Sequence, residues 1–271
     1  MTSLDHAYDQ AAELIAGADA LLVCAGAGMG VDSGLPDFRG TEGFWRAYPP
    51  YERLGLKFEE IADPVHFADD PALAWGFYGH RLGLYRATVP HEGFSILRSW
   101  GARVFTSNVD GQFQKAGFAD VAEVHGSIHH VQCVEPCTDD IWECSFDVAV
   151  DPETMRAVDP LPSCPNCGGL ARPNILMFGD WGWVPHRSQA QLDALTEWRR
   201  SQRKLVVIEI GAGSAVPTVR RQAELASAAS GALIRINPRE PEVRHGRGVS
   251  LPVNALEALT ALARAIGRTC P

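Results

Sequence analysis

The chain has 271 residues, with 24 basic side chains against 33 acidic ones and a formal net charge of −9 at pH 7. It is 46% hydrophobic and 21% charged, a composition typical of a globular protein that argues against disordered, collagen-like and coiled-coil chains. The negative charge argues against a nucleic-acid partner, and no apolar run reaches the ~20 residues of a membrane-spanning helix.

The N-terminal segment predicts an amphipathic helix and no export signal. Apolar residues recur at helical spacing over residues 4–17. Asp5, Asp9 and Glu13 stand where a signal peptide would carry positive charge. We therefore expect a cytoplasmic protein without a membrane partner.

Short apolar runs recur along the chain, and helical patterns lie between several of them. The runs cover residues 20–24, 103–106, 174–178, 205–210 and 232–236. The helical patterns cover residues 72–87, 189–200, 219–229 and 254–266. Uninterrupted apolar strands that alternate with helices indicate a parallel sheet covered on both faces. The sequence therefore predicts the α/β class, with a doubly wound, Rossmann-like parallel sheet.

Two segments interrupt this alternation and are interpreted as insertions. Residues 40–90 are rich in aromatic residues and proline, and residues 130–173 are rich in cysteine, proline and acidic residues. We expect them to form a smaller zinc-binding and helical module that leaves a cleft beside the sheet. Within a single domain of residues 1–271, the large part then spans about residues 1–40, 91–129 and 174–271, and the small module about residues 41–90 and 130–173.

A glycine-rich turn, Gly26 to Gly30, follows the first predicted strand. Glycine permits a tight turn and a close approach of the backbone to a ligand phosphate. Val31 stands where a dinucleotide fingerprint has its third glycine, so the turn alone is equally consistent with a simple strand-to-helix connection. Beyond it, Asp37, Phe38 and Arg39 place a carboxylate, a ring and a guanidinium side by side.

Three further motifs follow in chain order. Residues 106–111 read Thr-Ser-Asn-Val-Asp-Gly, residues 124–127 read Val-His-Gly-Ser, and residues 172–180 end in Phe-Gly-Asp. Together with residues 26–40, they resemble in order the signatures of the sirtuin family, the NAD-dependent protein lysine deacylases. The resemblance covers nearly the whole chain.

The resemblance implies a binding site for NAD as co-substrate. In the family, the glycine loop holds the NAD pyrophosphate and ribose, the acid, ring and arginine lie near the nicotinamide, and the second motif lies beside the nicotinamide ribose. A later glycine turn contacts the adenosine ribose. The cofactor-binding residues implied here are Gly26, Ala27, Gly28, Asp37, Phe38, Arg39, Ser107, Asn108, Asp110, Gly211, Gly213, Ser214 and Asn237.

His125 is the residue that the resemblance implies as general base. Imidazole titrates near neutral pH, so it can take a proton from a sugar hydroxyl and return it. Asn108 and Asp110 would orient ribose and water beside it. Without the surrounding motifs, a structural role for His125 would be the simpler interpretation.

Several positions depart from the family pattern. Gly30 stands where serine is usual, Ser107 stands where glutamine is usual, and Gly211 to Gly213 replace a Gly-Thr-Ser signature. Each change removes or shifts a side-chain hydrogen bond to NAD, so cofactor affinity is the property affected. His91 also stands where the family has asparagine in a Pro-Asn-x-x-His motif.

Five of the seven cysteines lie between residues 133 and 167, a clustering that favours metal binding over disulfides. Cys164 and Cys167 have the two-residue spacing of a zinc knuckle. The resemblance implies a Zn²⁺ ion held by Cys133, Cys137 and this pair. Such a zinc is structural and not catalytic, because four protein ligands leave no open coordination position. Cys144 remains an alternative to Cys137.

Tyr78 and Arg81 lie three residues apart on a predicted helix and so face the same way. The pair resembles one in desuccinylase-type sirtuins, where it binds the distal carboxylate of a malonyl or succinyl chain. Arginine offers a planar fork to a carboxylate. The alternative is a surface arginine beside a packed tyrosine. The resemblance also implies that Phe178 and Gly179 contact the substrate peptide.

The sequence thus predicts NAD-dependent removal of acetyl groups, and of succinyl or malonyl groups as a further option, from lysines of a protein or peptide substrate. The products would be nicotinamide and O-acyl-ADP-ribose. An NAD hydrolase or a protein ADP-ribosyltransferase on the same fold is the alternative. A non-catalytic nucleotide sensor is disfavoured, because it has no need of His125 beside Asn108 and Asp110. The oligomeric state is left open.

Overall fold

The computed structural model describes residues 3–37, 40–230, 232–244 and 246–269. The strands are β1 Ala20–Ala25, β2 Arg103–Thr106, β3 Val121–Glu123, β4 Gly126–Cys133, β5 Trp142–Glu143, β6 Val150–Asp151, β7 Arg156–Ala157, β8 Ala171–Ile175, β9 Leu205–Ile210, β10 Ala232–Ile236 and β11 Val249–Leu251. The helices are α1 Ser3–Ala16, α2 Gly40–Ala47, α3 Pro49–Arg53, α4 Phe58–Ile61, α5 Val65–Asp69, α6 Pro71–Ala87, α7 Glu92–Ser99, α8 Gln112–Lys115, α9 His186–Arg200, α10 Thr218–Ser230 and α11 Ala255–Thr269.

Six strands form a parallel sheet in the order β11-β10-β9-β1-β2-β3. All residues of β9 and β10 are buried, as expected for strands covered on both faces. This arrangement confirms the predicted doubly wound α/β sheet. Because the strand order reverses at β1, the carboxyl ends of β1 and its two neighbours border a crevice, the usual ligand site of such sheets.

Helices cover both faces of the parallel sheet. On one face, α1, α7 and α11 bury apolar residues such as Ile15, Leu97 and Leu262. On the other face, α9 and α10 bury residues such as Leu195 and Ala223. Among the described residues, no helix has both the length and the apolar character needed to cross a membrane.

The predicted strand at residues 174–178 is wrong in its bounds and its partner. The strand is β8, five residues long, and it pairs antiparallel with β4 outside the parallel sheet. The difference arises because Arg172 and Asn174 are buried polar residues whose side chains bond to Ile175 O in β8 and to Gln132 in β4, whereas Leu176 and Phe178 are exposed. The predicted boundaries at 129/130 and 173/174 fall inside β4 and β8.

A second hydrophobic core, rich in aromatic rings, lies in the region of the two predicted insertions. Its central element is α6, which begins with Asp70 accepting a hydrogen bond from Leu73 N at 3.2 Å and Pro71 in the first turn. A Cβ on Gly76 would lie 2.0 Å from Met155 O. Glycine there lets the short β6–β7 hairpin pack directly on α6.

Candidate active site

Two glycine turns pack against each other at the carboxyl ends of β1 and β9. Gly26 N donates to Ile210 O at 2.9 Å, and Gly28 N donates to Gly211 O at 3.1 Å. A Cβ on Gly28 would lie 2.6 Å from Gly211 Cα, and Gly211 itself has φ +61°. These glycines are therefore required first for the contact between the two loops, a role additional to the predicted approach of a ligand phosphate.

Hydrogen bonds connect the turn after β2 to the first glycine loop. Thr106 Oγ1 donates to Ala25 O at 2.9 Å and accepts from Asn108 N at 3.0 Å. Asn108 Nδ2 donates to Gly26 O at 3.0 Å, and Ser107 N donates to Ala25 O at 3.3 Å. The side chain of Asn108 is thus held at the crevice. Thr106 belongs to the second sequence motif, but the motif alone indicates no role for its hydroxyl.

Asp110 is a buried carboxylate in the same turn, 8% exposed. Its Oδ1 accepts from Gln112 N at 2.9 Å. Burial raises the pKa of Asp110 to about 6; the hydrogen bond from Gln112 opposes the rise and the nearby Glu123 carboxylate adds to it. A carboxyl group with such a pKa changes its charge close to neutral pH.

His125 lies in the turn between β3 and β4, half-buried. Its carbonyl accepts from Leu176 N at 2.9 Å. The next residue, Gly126, has φ +78°, and a Cβ there would lie 2.0 Å from Asn174 O, so only glycine fits. Burial lowers the pKa of His125, which favours the neutral imidazole that a general base requires.

The strand register brings these groups to one edge of the sheet. Thr106 at the end of β2 pairs with Glu123 at the end of β3. Asn108 and Asp110 follow the first of these residues, and His125 follows the second. The three predicted catalytic residues therefore lie at the carboxyl ends of two adjacent parallel strands.

The residues predicted at the adenosine end are fixed by contacts within the protein. Asn237 is fully buried, and its Nδ2 donates to Ala212 O at 2.8 Å. Its Oδ1 accepts from Glu240 N at 3.2 Å. Ser214 Oγ donates to Glu240 Oε1 at 2.7 Å. Asn237 consequently shapes the loops around Gly213, and Ser214 contacts Glu240.

Two glycines in the segments that the resemblance assigns to NAD binding leave room for a ligand beside the backbone. Beyond their chain neighbours, no described atom lies within 4 Å of a Cβ built on Gly34 or Gly213, so both backbones face open space. Such glycines permit the approach of phosphate and ribose groups. Ala27 and Asp37 are half-buried on the same loop. Phe38 and Arg39, also predicted to bind NAD, lie outside the described residues.

Tyr78 and Arg81 are both buried in the aromatic core, at 1% and 6% exposure, so the alternative of a surface arginine is wrong. Arg81 Nε and Nη2 donate to Tyr85 Oη at 2.9 and 2.7 Å. The guanidinium carbon lies 5.1 Å from the centre of the Phe77 ring, within range of a cation–π interaction. Tyr78 Oη has no hydrogen-bond partner within the described part of the chain.

Phe178 links this arginine to the segment that follows β8. Its side chain is 40% exposed, and its N donates to Ala62 O at 3.0 Å. The ring contacts Phe58 edge-on at 6.0 Å, and Phe58 lies 5.9 Å from the Arg81 guanidinium. Gly179 follows with φ +67°. The predicted substrate residues therefore lie in one connected group.

Four cysteines form a compact group of thiols. The Sγ atoms of Cys133, Cys137, Cys164 and Cys167 all lie within 4.8 Å of one another. Two of the pairs, Cys133–Cys167 and Cys137–Cys164, are 3.7 Å apart, and a tetrahedral zinc with Zn–S bonds of about 2.3 Å requires sulfurs about 3.8 Å apart. The group is compatible with a structural zinc site. Cys144 is outside it, with Sγ 3.9 Å from Phe146 O.

Sequence reasoning missed the role of His91. His91 Nδ1 accepts from Gly93 N at 3.0 Å and so caps α7, while Nε2 lies 2.9 Å from Met29 O in the first glycine loop. Its backbone N donates to Ser33 Oγ at 2.9 Å. The available signal was the histidine at position 91, where the Pro-Asn-x-x-His motif has asparagine. Asparagine can also cap a helix, but its side chain is shorter than that of histidine.

Comparison with known proteins agrees with this geometry. The sequence profile of the Sir2 family matches residues 26–216. The NAD-dependent protein deacylase 1 of Pseudomonas aeruginosa is 33% identical over 259 residues, 93% of this chain and 96% of that protein. The protein of the same name from Archaeoglobus fulgidus is 32% identical over 250 residues, 90% of this chain and 91% of that protein.

Solved structures give the same result. The crystal structure of a Sir2 homologue in complex with NAD superimposes with a TM-score of 0.75 at 28% identity, covering 96% of this chain and 93% of the other. A mutant Sir2 homologue in complex with ADP-ribose gives 0.70 at 27% identity, covering 96% of each chain. With a family profile across most of its length and relatives along nearly all of it, this chain belongs to the Sir2 family, the sirtuins.

Proposed function

We propose that this chain is an NAD-dependent protein lysine deacylase that produces free lysine, nicotinamide and O-acyl-ADP-ribose. Relatives named NAD-dependent protein deacylase align over 90% or more of the chain. The observation that carries the proposal is the placement of the half-buried His125 at the same sheet edge as Asn108 and Asp110. A base next to two ribose-orienting groups suits a reaction in which a sugar hydroxyl is activated.

The proposed mechanism assigns a task to each of these side chains. Loss of nicotinamide from NAD makes the ribose carbon electrophilic, and the acyl oxygen of the modified lysine attacks it. Asn108, bonded to Gly26 O, orients the ribose and a water molecule. The carboxylate of Asp110 favours the positive charge that develops as nicotinamide leaves. His125 accepts the proton of a ribose hydroxyl, whose oxygen then attacks the acyl carbon. The bond from that carbon to the lysine nitrogen breaks, His125 returns the proton to the leaving amine, and the water molecule adds to the acyl carbon, so that the acyl group stays on ADP-ribose as an ester.

An acidic acyl chain is the second part of the proposal. Tyr78 Oη is buried without a hydrogen-bond partner among the described atoms, and the guanidinium carbon of the buried Arg81 lies 5.9 Å from the centre of the Tyr78 ring. An unpaired hydroxyl and a buried cation together suit the carboxylate of a succinyl or malonyl group. The aromatic rings around Arg81 suit the methylene part of such a chain.

The alternative functions are NAD hydrolysis and protein ADP-ribosylation. They need neither an acyl-lysine nor a pocket for an acyl chain. The buried pair Tyr78 and Arg81 next to Phe178 therefore favours the deacylase.

Replacing His125 tests the proposed mechanism. We expect His125→Ala to lower deacylation by roughly 10²–10⁴-fold, the usual contribution of a general base, while exchange of labelled nicotinamide into NAD largely persists because it precedes the base-dependent step. His186→Ala, at an exposed position at the start of α9, is the matched control and should retain both activities. Loss of NAD binding in His125→Ala would contradict the assigned role.

A further inference from the structure

One aromatic side chain is fully exposed beside the proposed substrate site. Trp181 is 99% exposed, and Phe178 and Leu176 on the same segment are 40% and 37% exposed. Tryptophan is the side chain with the most apolar surface to bury, and an exposed apolar surface of this kind marks an interaction site. Because Leu176 N donates to His125 O, the segment is continuous with the proposed catalytic turn.

The turn that carries Trp181 is rigid. The side chain of Asp180 is fully buried and accepts both arms of the Arg172 guanidinium. It also accepts from Met177 N at 3.2 Å and from Gly182 N at 3.1 Å. Gln132 Nε2 donates to Gly182 O at 2.7 Å. Since both neighbours of Trp181 are fixed, the indole is held in solvent by the fold.

The surface next to this turn is acidic. Phe178 N donates to Ala62 O, so the end of α4 lies alongside the Phe178 segment. Asp63 Oδ2 is 4.0 Å from the position of a Cβ on Gly179. Glu59 and Glu60 are exposed on α4, and residues 57–63 contain three carboxylates and one ammonium group, that of Lys57.

We propose that Trp181 and Asp63 form a subsite for a cationic side chain, lysine or arginine, that flanks the acylated lysine in the protein substrate. The proposal rests on the deacylase function above. A cation over an indole face is attracted by the ring quadrupole, and a nearby carboxylate adds to that attraction. Because acylation neutralises the reacting lysine, a second cation would let the enzyme select acyl-lysines that lie in basic segments.

The experiment compares three peptides that share one acyl-lysine and differ at its flanking positions, which carry arginine, leucine or glutamate. For the unmodified enzyme we expect kcat/KM to be about fivefold higher for the arginine peptide than for the leucine peptide, the upper range of a cation–π contact at an exposed site, and lowest for the glutamate peptide. Trp181→Ala should remove the advantage of arginine over leucine, and Trp181→Phe should retain most of it.

A further variant separates the contribution of the Asp63 charge from that of the Trp181 ring, and another serves as a control. Asp63→Asn keeps an oxygen that can accept from Val65 N, as Asp63 Oδ1 does at 2.8 Å, so it removes the charge without removing this bond at the start of α5. It should reduce the arginine preference and its sensitivity to salt. Leu225→Ala, at a 61% exposed apolar residue on α10, is the matched control and should leave all three peptides unchanged.

The outcomes separate this inference from the function on which it rests. Turnover of all peptides at equal rates by the unmodified enzyme, or an equal loss on all three peptides in Trp181→Ala, would overturn the cationic subsite and leave the deacylase intact. If no acyl peptide were deacylated in the presence of NAD, the proposed function and the subsite would both be wrong.

Discussion

Asp110 is a carboxyl group that the fold holds out of water beside a second buried carboxylate, Glu123. Glu123 has a cationic partner, since Arg187 Nη2 donates to its Oε2 at 2.7 Å. Among the described residues, the hydrogen bond that the Asp110 carboxyl accepts comes from a main-chain donor, Gln112 N. Burial without a directly bonded cation explains why the pKa of Asp110 is raised to about 6. The protein thus keeps a destabilised negative charge at the crevice.

This arrangement predicts a pH-dependent effect of Asp110→Asn on stability. The pKa of Asp110 rises from 3.8 to about 6 on folding, so the unfolded chain ionises first, and the folded state loses stability as the pH rises through this window. A shift of about two pKa units corresponds to about 3 kcal/mol. Asparagine cannot ionise but can still accept from Gln112 N.

We therefore expect the free energy of unfolding of Asp110→Asn, relative to the unmodified protein, to rise by about 2 kcal/mol between pH 4 and pH 7. Urea unfolding at both pH values measures this difference. A difference that does not change with pH would show that Asp110 is not a strained carboxylate.

At the scale of single residues, the sequence predicted identities better than contacts. The motifs picked out Asn108, Asp110 and His125, which the strand register does bring to one edge. The tether from His91 to Met29 O joins residues 62 positions apart, and the full exposure of Trp181 depends on the buried bonds of Asp180. No local pattern contains such information, because it depends on tertiary packing.

Among the secondary-structure elements, the antiparallel pair β4 and β8 connects the site to the cysteines. Gly126, next to His125, lies at one end of β4, and Cys133 lies at the other end. β8 starts four residues after Cys167. A zinc ion bound by the four thiols would therefore hold one end of the β4–β8 pair in place. The His125 turn lies at the other end.

Removing one thiol tests this arrangement. We expect Cys137→Ser to lose bound zinc and to unfold at a temperature several degrees lower, since binding at a structural zinc site contributes directly to folding. Cys144→Ser is the matched control, because Cys144 lies outside the group of four thiols. It should retain about one zinc per chain. Metal analysis and thermal unfolding measure both effects, and the opposite pattern would mean that Cys144 is the ligand.

The elements that could be predicted from the sequence were those with clear local signals. The pattern at residues 72–87 matches α6 closely, because Asp70 and Pro71 mark its start. By contrast, β3 and β11 have three residues each and offer no apolar run long enough to detect. The partner of β8 could not be predicted, since apolar content alone does not distinguish a parallel from an antiparallel neighbour.

For the whole molecule, the parallel sheet and the aromatic core carry different parts of the proposed site. The sheet carries the glycine loops and the catalytic turns at its carboxyl edge, while the aromatic core holds Tyr78 and Arg81. Phe178 and the Trp181 turn extend from β8 between these groups. On this account, NAD binds at the sheet, the acyl chain enters the aromatic core, and the substrate backbone lies along residues 176–181.

The most direct test of the deacylase is a mass-spectrometric assay with NAD and one lysine peptide in unmodified, acetylated and succinylated forms. We expect one O-acyl-ADP-ribose and one nicotinamide for each acyl group removed, no NAD consumption with the unmodified peptide, and faster turnover of the succinylated form because of Tyr78 and Arg81. NAD consumption that is independent of the peptide, yielding free ADP-ribose, or ADP-ribose attached to the peptide would contradict the deacylase and establish one of the alternative activities.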